Sequence, residues 1–223
     1  MDRMVHIVLN AIKQVRVDQR VNAQNLASSQ VAGFKKDMPL TRTSAFLDNM
    51  NQYNSRIYVT SDDKLRFSSD EGFVEKTEGK MDFSITGPGW FYIDPPQGLG
   101  PALSRRGDFN QKPTGELVDG AGNYLLDKDM NRIVLPEARN IIIESSGQII
   151  IEPFGSPEGT RKELGILATT MADDVPLMKY SDGQIRPEQG IPMPEPDNQA
   201  LIVQGSLERS NVETLEGLIK NIE

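Results

Sequence analysis

A mainly β fold, with a central antiparallel β domain and a helix at each end, is predicted by three features of the sequence. Residues 2–27 contain neither Gly nor Pro, and apolar positions recur there at helical spacing. The middle of the chain breaks into short β-branched and aromatic runs separated by Gly, Pro, Ser and Asp, the pattern of antiparallel strands and tight turns. A second helical stripe returns near the C-terminus. Composition agrees, since 37% hydrophobic and 25% charged residues over 223 positions suffice for a folded core.

At the N-terminus, Val5, Val8, Ile12, Val15, Gln19, Asn22 and Leu26 follow one another at alternating spacings of three and four, which places them on one helical face. The face is apolar in its first half and polar at Gln19 and Asn22. Gly33 is a stop signal shortly after it. From the residues alone, the stripe suits either a helix docked on its own domain or one paired with a partner helix; two heptads do not decide between them. Residues 35–55 are largely polar, with Phe46, Leu47 and Tyr53 as candidate anchors, and read as an extended or locally disordered connection. Arg56–Thr60 and Lys64–Phe67 then flank Ser61-Asp62-Asp63 as a hairpin.

Met81–Ile85 alternates apolar and polar residues, Gly87-Pro88-Gly89 punctuates it, and Trp90–Ile93 follows as an aromatic strand. Asn140–Glu144 and Gln148–Glu152 lie either side of Ser145-Ser146-Gly147, a strong hairpin signal. Gly165–Thr169 adds a strand. Pro187, Pro192, Pro194 and Pro196 mark a stiff linker. Ser210 to Glu213 offers a capping box, with Asn211 as the alternative cap, and Leu215, Leu218, Ile219 and Ile222 form the closing stripe. Glu213 and Glu216 sit near the positive end of that helix dipole and Lys220 near the negative end. The expected organisation is an N-terminal helix (1–34), a connecting segment with a hairpin (35–71), a central β domain (72–186), a Pro-rich linker (187–200) and a C-terminal helix (201–223).

The chemistry-bearing residues are sparse. With no cysteine in the sequence, disulfides, thiolate nucleophiles and zinc–cysteine sites are excluded. His6 is the single histidine, so neither a triad nor a histidine metal cluster can be built. Asp127, Asp129 and Asn131 imitate half a calcium loop, but Arg132 stands where Gly is required and Ala138 where a bidentate Glu belongs. Gly72 and Gly79-Lys80 have the wrong spacing for a phosphate loop. Adjacent acids such as Asp173-Asp174 do not define an acid/base pair. No catalytic residue, metal or cofactor is predicted.

The net charge of -8 argues against broad attraction to nucleic acid or an anionic membrane. No run approaches the ~18 apolar residues of a membrane span, and the N-terminus lacks the continuous apolar region of a cleavable signal peptide.

Three segments together resemble the bacterial flagellar rod and hook family. The first is Arg20 to Lys35, where Asn25-Leu26-Ala27 and Gly33-Phe34-Lys35 match the family's N-terminal signature; Gln24 and Gln30-Val31-Ala32 depart from it. The second runs from Met81 to Ile93 through Leu103 to Phe109, with Arg105-Arg106-Gly107-Asp108-Phe109, and on to Gly115-Glu116-Leu117-Val118. It is similar to the family's core sheet, and Gly120 to Leu126 and Val134-Leu135-Pro136 continue it. The third is Val203 to Glu213, similar to the Gln-Gly-x-Leu-Glu-x-Ser-Asn-Val element that opens the C-terminal helix. The opening Met-Asp-Arg and modest size favour the proximal rod branch over the distal rod and hook.

The resemblance implies that the two terminal helices pair as a coiled-coil-like terminal domain. Val8, Ile12, Val15, Leu215, Leu218 and Ile222 would carry that contact, while Asn25, Leu26, Ser210 and Asn211 would fix helix ends and neighbour register. Family members continue several turns past the position of Glu223, so a shortened terminal helix is expected. The implied partners are other rod subunits and further copies of the chain in a helical polymer, the flagellar type III export apparatus, and the rings around the rod. The implied location is the periplasmic rod of the basal body, reached without a cleavable signal peptide. Two readings from other classes stand beside it. One is a secreted β-domain enzyme acting on peptidoglycan, which needs two close acids in a cleft. The other is a glycan-binding module using Trp90, Phe91 and Tyr92, of which Trp90 and Tyr92 share one strand face.

Overall fold

The computed structural model describes residues 2–39, 66–97, 100–157, 159–215 and 217. Among these, one helix, α1 (Asp2–Ala27), precedes seventeen strands. The chain first pairs β1 (Asp37–Met38) with β2 (Arg66–Phe67). Then come β3 (Val74–Lys76), β4 (Phe83–Thr86), β5 (Trp90–Asp94), β6 (Ala102–Ser104), β7 (Phe109–Gln111), β8 (Leu117–Asp119) and β9 (Tyr124–Leu125). A three-stranded antiparallel sheet follows from β10 (Ala138–Ile143), β11 (Gln148–Pro153) and β12 (Lys162–Ile166). The remaining strands are β13 (Thr169–Thr170), β14 (Leu177–Lys179), β15 (Ile185–Pro187), β16 (Leu201–Gln204) and β17 (Ser206–Glu208).

The largest sheet has the order β14-β15-β6-β5-β9-β8-β7, with β13 added against β5. Strand β5 is its centre, and alternation along it explains why the molecule has two cores. Phe91 and Ile93 face one way, into a cluster with Phe83, Phe109, Leu117, Leu135, Ile149 and Ile151. Trp90 and Tyr92 face the other way, against Phe67, Leu103, Leu126 and Ile185. Phe109 anchors the first core edge-on to Phe91, with ring centroids 5.4 Å apart. Trp90 meets Phe67 edge-on at 5.7 Å. Gly107 is required beside this core, because a Cβ there would stand 1.6 Å from the Phe83 carbonyl oxygen.

The Ile-rich hairpin forms as expected, with Ile141 opposite Ile151 and Ile143 opposite Ile149. Its turn closes by hydrogen bonds from Glu144 N–H to the Gln148 carbonyl and from Gly147 N–H to the Glu144 carbonyl. Gly147 takes the left-handed conformation at φ 85°. The run 165–169 is split by a break at Leu167 and Ala168, both fully buried. The expected hairpin at 56–67 lies outside the described residues except for Arg66 and Phe67, which pair with β1.

The expected fold class needs correction at the ends. Among the described residues the structure is mainly β with α1 as its one helix, and no pair of terminal helices forms a coiled coil. Among the described residues near the C-terminus, Thr214, Leu215 and Gly217 have helical backbone; residues 216 and 218–223 lie outside the described set. Val8, Ile12 and Val15 are 50%, 47% and 55% exposed, and Leu215 is 76% exposed. The physical reason is the route of the chain. Residues 201–208 return as strands, β16 on β4 and β17 on β3. This delivers the described C-terminal residues Val212, Glu213 and Gly217 to the last turns of α1. Asn22, Asn25 and Leu26 line one small crevice with Val212, Glu213 and Gly217.

Candidate assembly junction

The three motif segments meet where α1 joins the β domain. After α1 the chain turns back through Gly33, whose φ of 64° favours glycine. A Cβ there would lie 2.2 Å from the Arg105 carbonyl oxygen, so the close approach also excludes a side chain. Gly33 N–H donates to the Glu208 carbonyl at 2.7 Å, tying the turn to β17.

Beneath this turn lies a buried charge cluster. Lys35 Nζ donates to Glu208 Oε1 at 2.8 Å and to the Asp70 carbonyl at 2.8 Å. Arg105 Nε donates to Glu208 Oε2 at 2.6 Å, and Gly72 N–H donates to Oε1 at 2.9 Å. Three of the four remaining guanidinium hydrogens of Arg105 go to the carbonyls of Gly87, Gly89 and Ile85. The side chains of Lys35, Glu208 and Arg105 are only 2%, 1% and 3% exposed, so water does little to screen them. One carboxylate therefore serves two buried cations. Burial pushes the Lys35 ammonium below its usual range and Arg105 adds to this, while Glu208 opposes it.

A second cluster holds the helix end. Asn25 Oδ1 accepts from Asp37 N–H at 2.7 Å, and Asn25 Nδ2 donates to the Asp37 carbonyl at 2.9 Å. Lys179 Nζ on β14 donates to Asp37 Oδ1 at 2.6 Å and lies 3.8 Å from the centre of the Phe34 ring. Burial lowers the Lys179 pKa, and Asp37 offsets part of that. Asn211 completes the junction from the C-terminal side. Its Oδ1 accepts from Lys36 N–H at 2.7 Å and its Nδ2 donates to the Asp70 carbonyl at 2.8 Å. Nearby, Gln204 Nε2 donates to the Lys80 and Ile141 carbonyls, linking β16 to β10.

Of the residues expected at the assembly surface, Asn25 is 4% exposed, Leu26 and Asn211 are half-buried, and all three sit at this junction. Ser210 Oγ accepts from Val212 N–H at 3.3 Å, a local turn bond. Val8, Ile12, Val15 and Leu215 stay exposed, and Leu218 and Ile222 lie outside the described residues. The sequence reading missed Asp37, Arg105, Lys179 and Glu208 as functional positions. Arg105 and Glu208 do fall inside the quoted motifs, but their partners lie 103 and 173 residues away, between Arg105 and Glu208 and between Lys35 and Glu208.

Beside the junction is a cleft of about 510 Å³ bordered by Phe67, Trp90, Met171 and Leu177. Glu71, Asp173 and Glu188 line it at exposed positions. Among the described residues, no hydrogen bond or ion pair fixes any of these three carboxylates. Tyr92 is fully buried and donates its hydroxyl to the Pro194 carbonyl at 2.6 Å, so it offers no ring face to a glycan. Among the described residues no group of three His, Asp or Glu side chains is placed to hold a metal.

Residues 84–151 match the family model described as the flagellar hook protein FlgE/F/G D1 domain. That span contains β5 to β10 and the Arg105 that reaches the junction. The flagellar basal-body rod protein FlgF of Rhizobium meliloti is 28% identical, across 91% of this chain and 80% of the relative. Over its whole length the chain is most like the flagellar rod protein FlgF. FlgF of Salmonella typhimurium is 25% identical, across 98% of this chain and 86% of the relative. The flagellar hook protein FlgE of Brucella abortus is 32% identical but covers only 47% of this chain and 26% of the relative. The FlgF likeness therefore takes in α1, the β domain and the junction together, whereas the hook likeness is partial.

Proposed function

We propose that the chain is a structural subunit of the proximal flagellar rod, assembling with other rod proteins and with copies of itself into the axial shaft for motility. The observation that carries this reading is the half-exposed apolar stripe Val8, Ile12 and Val15, held out on a helix whose far end is tied to the β domain through Asn25, Asp37 and Lys179. Such a face is costly to leave in water and marks a contact surface. Heterologous contacts that repeat from copy to copy build a helical tube. In this reading Val8, Ile12, Val15 and Leu215 meet neighbouring subunits, and Asn25, Leu26, Ser210 and Asn211 hold the register at which they are presented. Leu218 and Ile222 would extend the same contact. The export apparatus delivers the chain to the periplasmic rod, and the surrounding rings are its outer neighbours.

The peptidoglycan enzyme reading has a cleft with Trp90 and three acids, but general acid/base work needs carboxylates held in a set geometry. Among the described residues no hydrogen bond or ion pair holds the carboxylates of Glu71, Asp173 or Glu188. The test is an in-frame deletion in the source bacterium. Loss of motility, with basal bodies that stop short at the rod and are restored by the intact gene, is expected. Motile cells with complete rods would overturn the proposal.

A further inference from the structure

We infer that Asn25, Asp37 and Lys179 act as a positioning lock that sets the direction of α1 relative to the β domain. This rests on the rod reading for its purpose but not for its physics. Asp37 is bound on three sides at once. Its backbone N–H and carbonyl are both taken by the Asn25 side chain from the last turn of α1. Its carboxylate is taken by Lys179, which belongs to β14 of the largest sheet. Asn25, Asp37 and Lys179 are 4%, 3% and 6% exposed. A two-point amide clamp fixes orientation as well as distance, because both hydrogen bonds must be kept together. The Lys179 ammonium is also seated against the Phe34 ring and reaches the Lys35 carbonyl at 3.4 Å, so it holds the turn between helix and strand from below.

The other cluster, Lys35–Glu208–Arg105, closes the turn to β17. Among the described residues, the hydrogen-bonded route from the α1 side chains to the largest sheet runs through Asp37. Loss of the lock would leave the β domain folded and α1 helical, but with α1 free to change its angle. A polymer in which every copy repeats the same contact depends on that angle being the same in each copy.

The test uses the full chain, which has no native cysteine to interfere with labelling. Spin labels are placed through Arg16→Cys on α1 and Glu163→Cys on β12, both exposed positions, and the distance between them is measured by pulsed electron resonance on the unassembled chain. The parent should give one narrow distance. Asn25→Ala, Asp37→Asn and Lys179→Met should each lose the narrow peak and spread over a broad range, while Lys179→Arg should keep it. Asn25→Ala leaves the buried ion pair intact, and Trp90 fluorescence in urea checks that its β domain still folds. A narrow, unchanged distance in Asn25→Ala and Lys179→Met would overturn the lock. Normal assembly by variants with a broadened distance would overturn its role in positioning. Failure of the parent to assemble at all would count against the rod reading and leave the lock standing.

Discussion

Glu208→Gln tests the junction at its most heavily shared atom pair. The substitution keeps the shape and an acceptor oxygen but removes the one charge that faces both Lys35 and Arg105, at 2.8 and 2.6 Å. Removing one partner of a buried ion pair costs about 3–5 kcal/mol, because the other charge is left without compensation. Arg105 keeps its three backbone carbonyl acceptors and absorbs part of the loss. Lys35 can shed its proton instead, which from its ordinary value of 10.5 costs about 5 kcal/mol at pH 7 and sets a ceiling on its share. With a urea slope of about 3 kcal/mol per molar, the unfolding midpoint should fall by roughly 1–1.7 M. Trp90 is the only tryptophan and sits at the centre of the largest sheet, so its fluorescence reports the transition directly. The sign of the pH dependence follows from the same groups. Lys35 already lies below 10.5 in the folded state, so the unfolded chain binds more protons and this group adds stability as pH rises toward 10.5. The gap between parent and Glu208→Gln should therefore narrow at alkaline pH. A loss under about 1 kcal/mol at pH 7 would refute the claim that this cluster holds the turn to β17.

Three further outcomes are expected. Gly33→Ala should destabilise by more than about 2 kcal/mol in urea, combining a left-handed backbone cost with a Cβ forced against the Arg105 carbonyl. Burial raises the Tyr92 hydroxyl to about 12. Its stabilising share is complete below pH 10 and lost as pH climbs through 10 to about 12, and Tyr92→Phe should flatten that decline in a pH series of urea midpoints. Replacing Val8, Ile12 and Val15 together by Gln should leave monomer stability within about 0.5 kcal/mol, since all three are half-exposed, yet abolish co-sedimentation with rod assemblies.

What could be read ahead of the structure depended on how local the signal was. The Ile141–Ile151 hairpin was legible because the turn residues and the alternating runs are contiguous. Trp90 and Tyr92 sharing a face also followed from strand geometry alone. The paired terminal helices did not hold, because an amphipathic stripe states that a face wants a partner without saying where the partner is. Leu201–Gln204 is too short to announce itself as a strand, and its pairing with β4 across more than a hundred residues redirected the C-terminal segment. The junction was half-legible. Asn25 and Asn211 were marked through the motifs that contain them, and both proved to bind backbone at the junction. Asp37 and Lys179 carried no signal, since a lone Asp and a lone Lys look like surface residues until the fold buries them against each other.

The proposal that this chain is a building block of the rod can be put to the basal body itself. Cryo-electron microscopy of basal bodies purified from a strain carrying a tag on the chain addresses it most directly. The account predicts density for the β domain in the rod wall near its proximal end, with α1 in contact with neighbouring subunits through Val8, Ile12 and Val15. A tagged chain absent from rods that are otherwise complete, or present only as a soluble periplasmic protein, would contradict it.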